Sequence, residues 1–488
     1  MMTLEQLLEG TETVEISGSL AVEIESITFD SRRCSVNSAF IAVCGAEADG
    51  HKFIGKAIEA GARAVIYQEG DIESVEGVTF VKVKSSRKAL ALIADNFYGH
   101  PSRELNLVGI TGTNGKTTTV TLLYNLFTSL GYGCGLISTI ANYVNGEKLH
   151  TDNTTPDPIT LNSLMARMVD EGCEYCFMEV SSHSIDQDRV AGLSFKVGIF
   201  SNLTHDHLDY HKTFASYRDC KKRFFDELGK DAWALTNIDD RNGEIMVQNT
   251  KATVKTYACH SMADFNCKII EQSIDGMLMS IDGTQIWSRF IGAHNAYNLL
   301  AVYSTAILLG ADKDEVLVKA SALGPVAGRL EYIRGGNDLT AVVDYSHTPD
   351  ALENALRTLK EAGCDRTLVC VFGCGGDRDR SKRPEMGKIA TEIADKVIVT
   401  SDNPRTEDPQ EIISEIRGGM DARARAKSLF ISDRREAIRA AVMTAPQGAI
   451  ILVAGKGHED YQIIGKTKHH FDDKEVISEA MNELNSLK

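Results

Sequence analysis

Short apolar runs alternate with helix-period patterns along nearly the whole chain, and breaks in the pattern divide it into three stretches. In the first, the runs at residues 39–43, 64–67 and 78–83 are separated by helical patterns such as 56–60 and 87–97, which predicts a small α/β domain. His100-Pro101-Ser102 then punctuates the chain before a strand-like run at residues 105–110 opens a second α/β stretch. Further strands are expected at 175–178 and 195–200, and the stretch ends in an alanine- and leucine-rich helix over about 295–309. Gly324-Pro325 and Gly328-Arg329 mark the next break. Beyond Gly335-Gly336, apolar runs at 339–343, 367–372, 396–400 and 449–453 alternate with helical patterns, as in a mostly parallel sheet. The pattern predicts an α/β protein of three domains, 1–102, 103–332 and 333–488, without internal repeats or low-complexity tracts.

Composition narrows the class. With 488 residues, 43% hydrophobic and 25% charged, the chain can bury several cores. The opening MMTLEQLLEG lacks the basic start and apolar run of a signal peptide, and no later segment reaches membrane-spanning length. A cytoplasmic protein with no membrane span is expected. The eleven cysteines show no paired metal-ligand spacing apart from Cys173-x-x-Cys176, which falls in an expected buried strand and reads as reduced core thiols. A formal charge of −16, with no basic patch to offset it, argues against nucleic acid as a partner. Anionic small molecules must then be captured locally, by glycine-rich backbone, a few Lys or Arg, and metal ions.

Such a device stands at the start of the second stretch. Val108-Gly109-Ile110 runs into Thr111-Gly112-Thr113-Asn114-Gly115-Lys116-Thr117-Thr118-Thr119, followed by a helical pattern over 120–130. A strand, a glycine-rich turn and a helix in that order aim backbone N–H groups and a positive helix end at phosphate oxygens. Lys116 would neutralise β- and γ-phosphates, and the Thr117 hydroxyl would hold magnesium. The usual spacing requires a glycine where Ile110 stands, flanked here by Gly109 and Gly112. Downstream, the run at 175–178 ends in Glu179, and the run at 195–200 leads into Asn202-Leu203-Thr204-His205-Asp206-His207-Leu208-Asp209-Tyr210-His211. Acids and histidines at the carboxyl ends of parallel strands face one crevice. The histidines alone could signal zinc, but hard oxygen ligands beside a triphosphate favour magnesium. Polar clusters also end the strands of the last stretch: Asp344 to Pro349, Gly375 to Arg380, Ser401 to Arg405 and Gly455 to Glu459.

The run TGTNGKTTT, with these further segments in order over nearly the entire chain, resembles the Mur ligase family, which also includes folylpolyglutamate synthases, and most closely its diaminopimelate-adding branch. The resemblance implies an N-terminal uridine-nucleotide-binding α/β domain, a central P-loop ATPase-like domain and a C-terminal Rossmann-like domain. It implies ATP as co-substrate on Gly112, Thr113, Asn114, Gly115, Lys116, Thr117 and Thr118, with Asn295 against the adenine and Arg329 and Asp344 as further contacts. Asn295 could equally cap a helix. Magnesium would be held by Thr117, Glu179, His207 and a carboxylated Lys221, and Lys116, Glu179, His207 and Lys221 would form the catalytic set. Carboxylation turns a cation into an oxygen donor; Lys222 lies next to Lys221.

The resemblance also implies substrates. Segments around Ser31, at Gly45 to Gly50, and at Asn153, Thr154 and Thr155, together with Ser181, Gln187 and Arg189, match positions that hold a UDP-muramoyl dipeptide. Arg378, Asp402, Asn403, Pro404, Arg405, Gly455 and Glu459 match those that hold meso-diaminopimelate. A guanidinium fork at Arg405 suits the second carboxylate that distinguishes diaminopimelate from lysine, and Glu459 suits an ammonium. The implied activity joins that amino acid to the dipeptide, with small molecules as the only partners and a monomer expected. Two rivals stay open: another ligase of the family, lysine-adding or folate-directed, and a catalytically silent ATP-binding subunit.

Overall fold

A computed structural model describes residues 2–45, 48–151, 153–204, 206 and 208–486. It resolves into two compact units, one of Met1–Gly112, Thr119–Ser201 and Ala215–Thr256, the other of Thr113–Thr118, Asn202–Phe214 and Tyr257–Lys488.

The first unit opens on a five-stranded sheet in the order Thr13–Ser17, Thr79–Val83, Ala62–Tyr67, Ser38–Ile41, Ser26–Thr28, parallel except for the first strand. Period-two alternation sorts its side chains. Ala39, Ile41, Ala64, Ile66 and Val81 join one core with Leu90 and Ile93 of the helix Ser86–Phe97, while Phe40, Val65, Tyr67 and Phe80 join another with Ile54 and Ala57 of the helix Ile54–Glu59. Ser85 starts the longer helix by accepting from Lys88 N.

The same unit holds five parallel strands in the order Cys134–Ile137, Tyr175–Glu179, Asn106–Thr111, Val197–Phe200, Trp233–Asn237. A hairpin of Asn142–Val144 and Glu147–Leu149 adds to it in antiparallel fashion. Gly109 belongs to this packing rather than to the phosphate loop. A Cβ there would lie 2.6 Å from the Phe195 ring and 2.9 Å from that of Phe224. Gly109 is thus a position where two aromatic rings press on a strand. All eleven cysteines are free. Cys176 lies in its strand, but Cys173 precedes that strand, and burial raises both thiols above their ordinary range.

In the second unit, a six-stranded sheet runs Glu331–Arg334, Thr340–Asp344, Ile450–Ala454, Leu368–Phe372, Lys396–Val399, Ser428–Phe430. Only the first strand is antiparallel. The four strands expected from the sequence are present. The two outer ones are additions, with partly or fully exposed positions that break the apolar pattern. An antiparallel meander, Phe265–Ser273, Gly276–Ile281 and Thr284–Ser288, was also not expected; a register shift between Ile269 and Glu271 interrupts its alternation. The expected long helix is Ala293–Leu308. Pro349–Gly363 after Thr348 and Pro409–Gly418 after Asp408, like Pro158–Asp170 after Asp157 in the first unit, begin on a capping residue followed by proline. Among the described residues no helix is long and apolar enough to cross a membrane.

Behind the carboxyl edge of the second unit's large sheet lies a buried ion pair. Arg434 donates to Asp473 Oδ1 and Oδ2 at 2.8 and 2.7 Å, and also to Ser401 O and Ala454 O. Neither side chain has exposed surface. Removing one partner strands a charge in the interior. Asp473→Ala should cost about 3–5 kcal/mol of stability, read from urea unfolding; a loss no larger than that of a surface substitution would contradict this account.

Candidate functional site

In the first unit, several residues singled out from the sequence meet at the carboxyl ends of the parallel strands. Parallel register sets Glu179 beside Ile110 and Thr111 beside Phe200. Glu179 is 1% exposed, and its Oε1 accepts from Thr139 N at 2.8 Å. Thr139 Oγ1 donates to Thr154 Oγ1 at 3.0 Å, and Thr155 Oγ1 donates to the Glu179 carbonyl at 2.8 Å. Ser181 caps the helix Ser182–Asp186 and approaches Thr155. Arg189 donates to Thr155 O at 2.7 Å and twice to Gln187 Oε1.

Lys221, on the helix Phe214–Asp226, is buried and donates to Gly112 O at 2.9 Å, its ammonium 4.8 Å from the Tyr217 ring. Lys222 instead pairs with Asp226. The two adjacent lysines therefore part company: one reaches the loop, the other an acid one turn on. Asn153 contributes its carbonyl to Thr151 Oγ1. Ser31 sits in the separate turn Ser31–Arg33 of the five-stranded region, capped by Asp30. His205 and His207 lie outside the described residues, as do Ala46 and Glu47.

In the second unit, the rest of the phosphate loop is held from several sides. Thr113 N donates to Asn202 O at 2.8 Å, Asn114 N to Asn202 Oδ1 at 2.9 Å, and Asn114 Nδ2 to Asp350 Oδ2 at 2.9 Å. Lys116 Nζ donates to Thr113 O at 2.9 Å. Gly115 adopts φ +88°, and a Cβ there would lie 2.5 Å from Asn298 Oδ1, so turn conformation and close approach both require glycine. Arg329 donates to Thr117 Oγ1 at 3.2 Å and stacks 4.8 Å from the Tyr345 ring. Asp344 organises backbone, accepting from Leu330 N and Ser346 N. Asn295 is not the helix cap. Gly292 takes that place, and Asn295 Nδ2 donates to Ile291 O. Asp350 and Asn298 were missed from the sequence, since an acid in a helix's first turn and an Asn within a helix carry no distinctive pattern.

A second cluster of this unit joins the loops after its parallel strands. Arg405 Nη1 donates to Gly376 O at 2.7 Å, and Gly376 N to Asn403 O at 2.9 Å. Asn403 Nδ2 donates to Glu459 Oε2 at 2.8 Å. Asp402 is turned inward: its Oδ1 accepts from Asn403 N, and a Cβ on Gly455 would lie 2.4 Å from its Oδ2. Pro404 is buried beside it, whereas Arg378 is exposed and takes no part in these bonds. Burial, and then the Asp402 charge, push the Glu459 carboxyl above the usual carboxylate range, while Lys456 and Asn403 pull it back.

Three family domains match this chain: the Mur ligase family catalytic domain over residues 23–98, the Mur ligase middle domain over 110–306 and the Mur ligase glutamate ligase domain over 328–457. The chain belongs to the Mur ligase family. It is 50% identical to the UDP-N-acetylmuramoyl-L-alanyl-D-glutamate–2,6-diaminopimelate ligase of Bacteroides thetaiotaomicron, over 99% of this chain and 100% of that one. It is 52% identical to the protein of the same name from Phocaeicola vulgatus, over 98% and 99%. A solved structure of a ligase of that name superposes with a TM-score of 0.72 at 30% identity, covering 99% of both chains.

Beneath the Gly375-Gly376 turn, Arg383 donates to both Glu407 oxygens at 2.9 Å, to Glu415 at 2.7 Å and to Gly375 O at 3.1 Å. These bonds lower the Glu407 carboxyl from 4.5 to about 2. A carboxyl held low in the folded state stabilises fully above its unfolded value and loses that contribution as pH falls through the folded one. Between about pH 4.5 and 2, then, stability should fall less steeply with acid in Glu407→Gln than in the parent chain. Denaturant midpoints across that window measure it, and parallel curves would refute it.

Proposed function

We propose that this chain forms the amide bond between the D-glutamyl γ-carboxylate of UDP-N-acetylmuramoyl-L-alanyl-D-glutamate and meso-diaminopimelate, consuming ATP, as a step of peptidoglycan precursor synthesis. The observation that carries the reading is full-length identity of about half to ligases of that name. The local chemistry supports it. On this reading residues 1–102 hold the UDP-sugar, 103–332 ATP and 333–488 the amino acid, and the enzyme is a cytoplasmic monomer acting on small molecules alone.

The γ-carboxylate oxygen attacks the γ-phosphorus of ATP, ADP leaves, and an acyl phosphate results. The diaminopimelate amine then adds to the acyl carbon, loses a proton, and expels phosphate. Lys116 and the backbone N–H groups of the loop offset the charge that crowds carboxylate and triphosphate together. Thr154, Thr155, Ser181, Gln187 and Arg189 offer hydroxyl, amide and guanidinium groups to the uncharged and acidic parts of the dipeptide substrate, and Ser31 to its uridine. Asn295, Arg329 and Asp344 bind the nucleotide directly or order the loops that do.

The donor set suits magnesium. Glu179 is a buried carboxylate at a strand end, Thr117 a hydroxyl at a helix start, and Lys221 is directed at the loop backbone, where a carboxylated Nζ would supply oxygen. His207 completes the proposed set. Bound there, magnesium would neutralise phosphate charge.

Arg405 gives one N–H to Gly376 O, and its remaining hydrogens suit a distal carboxylate bidentately. With lysine as acceptor that guanidinium would be desolvated without a partner. Phosphate release in the presence of ATP and the UDP-muramoyl dipeptide should therefore occur with diaminopimelate and not with lysine or ornithine. Release with lysine alone would overturn the specificity, and absence of release with every acceptor would favour the silent-subunit reading. Lys116→Ala should abolish turnover, whereas Arg405→Ala should raise the KM for diaminopimelate on the order of a hundredfold with the KM for ATP little changed.

A further inference from the structure

We infer that Lys456 is a positioning residue for the amino-acid pocket, a buried ammonium that fixes the orientation of Asn403 and the charge of Glu459. This inference rests on the reading of that cluster as the diaminopimelate site.

Lys456 has no exposed side-chain surface, a costly place for an ammonium unless its hydrogens are satisfied. Its Nζ donates to Glu459 Oε2 at 3.2 Å, to Asn403 Oδ1 at 3.4 Å and to the Tyr461 carbonyl, and lies 5.3 Å from the Tyr461 ring. An ammonium has three donors and no acceptor. All three are used, on three different segments: the loop after the strand Lys396–Val399, the turn after Ile450–Ala454, and the hairpin strand Tyr461–Ile464.

This geometry settles which way the Asn403 amide faces. Its Oδ1 receives both Lys456 Nζ and Ile463 N, the latter at 2.9 Å, so its Nδ2 must point to Glu459 Oε2. Glu459 Oε2 is thereby occupied twice, while Oε1 has no hydrogen-bond partner among the described residues and is left for an incoming ammonium. The charges that act on Glu459 and its surroundings are few. Asp402 raises its proton affinity, Lys456 lowers it, and the phenols of Tyr345 and Tyr461 and the Arg434 guanidinium share its field. Without Lys456, a largely buried carboxyl beside Asp402 would hold its proton to higher pH, and a neutral acid is a poor partner for an ammonium.

The test is steady-state kinetics of the full-length enzyme across pH. Lys456→Met keeps length and removes charge. It should raise the KM for diaminopimelate roughly tenfold or more and leave the KM for ATP and for the UDP-muramoyl dipeptide unchanged. The acid limb of kcat/KM for diaminopimelate should move up by about one pH unit, and the shift should vanish in a Glu459→Gln background. Lys456→Arg retains the charge, so it should raise KM while leaving the acid limb in place. If Lys456→Met does not fold, Lys456→Arg carries the test alone, and an unaltered KM there overturns the inference. So does Lys456→Met with an unmoved acid limb, or with a loss shared equally among the three substrates, as a purely structural lysine would give. A parent enzyme inactive with diaminopimelate would instead defeat the functional reading on which the inference stands.

Discussion

Parallel pairing brings every strand of a sheet to its carboxyl end on the same edge, and the backbone groups just past that edge have no ladder partner left. Both large sheets are governed by this constraint. In the first unit Thr111 is registered with Phe200, and Ser201 N still finds Thr111 O before the ladder stops. In the second unit Asp344 is registered with Ala454, and Gly455 N takes Asp344 O. Past these points side chains must satisfy the backbone. Asn202 accepts from Asn114 N, Asp344 from Leu330 N and Asp402 from Asn403 N. The polar residues gathered at the strand ends are therefore partly the means by which the loops are built, and the groups they leave exposed are what a substrate can meet.

Buried cations extend the same logic. Lys221, Arg383, Arg434 and Lys456 are all essentially without exposed surface, and each donates to at least one backbone carbonyl: Gly112, Gly375, Ser401 with Ala454, and Tyr461 respectively. Desolvating a cation costs several kcal/mol, so such a group persists only where its hydrogens are taken up. A cation that gives its donors inward holds a loop in one shape. Arg405 is different: it is only half-buried and spends a single hydrogen bond on Gly376, so it can offer most of its fork to a ligand. The contrast separates an arginine with donors to spare from cations whose donors are spent on the fold.

Much of this architecture was legible in the chain. Alternating apolar runs located the strands, because a strand buried on both faces cannot hide its composition. The glycine-rich turn at residues 111–119 and the Asp402 to Arg405 segment stand out in the chain because each sets distinctive residue types at consecutive positions. The outer strands Glu331–Arg334 and Ser428–Phe430 and the meander of Phe265–Ser273 were not legible, since half-exposed or bulged strands carry no strong period. The reason for Gly109 was not legible either: it is the contact with Phe195 and Phe224, the latter more than a hundred residues away.

The sequence by itself determined where the buried strands of the parallel sheets lie, that a glycine-rich turn joins a strand to a helix at residues 111–119, and that polar clusters follow the strands of the last stretch, because those properties reside in neighbouring residues. Only the tertiary structure decided that Lys221 and not Lys222 faces the loop, that Asp350 braces Asn114, and that Lys456 binds Asn403 and Glu459 together. Those outcomes depend on which way a side chain points and on what remote backbone lies there to receive it. Burial and hydrogen-bond satisfaction are settled between distant parts of the chain, and no local pattern records them.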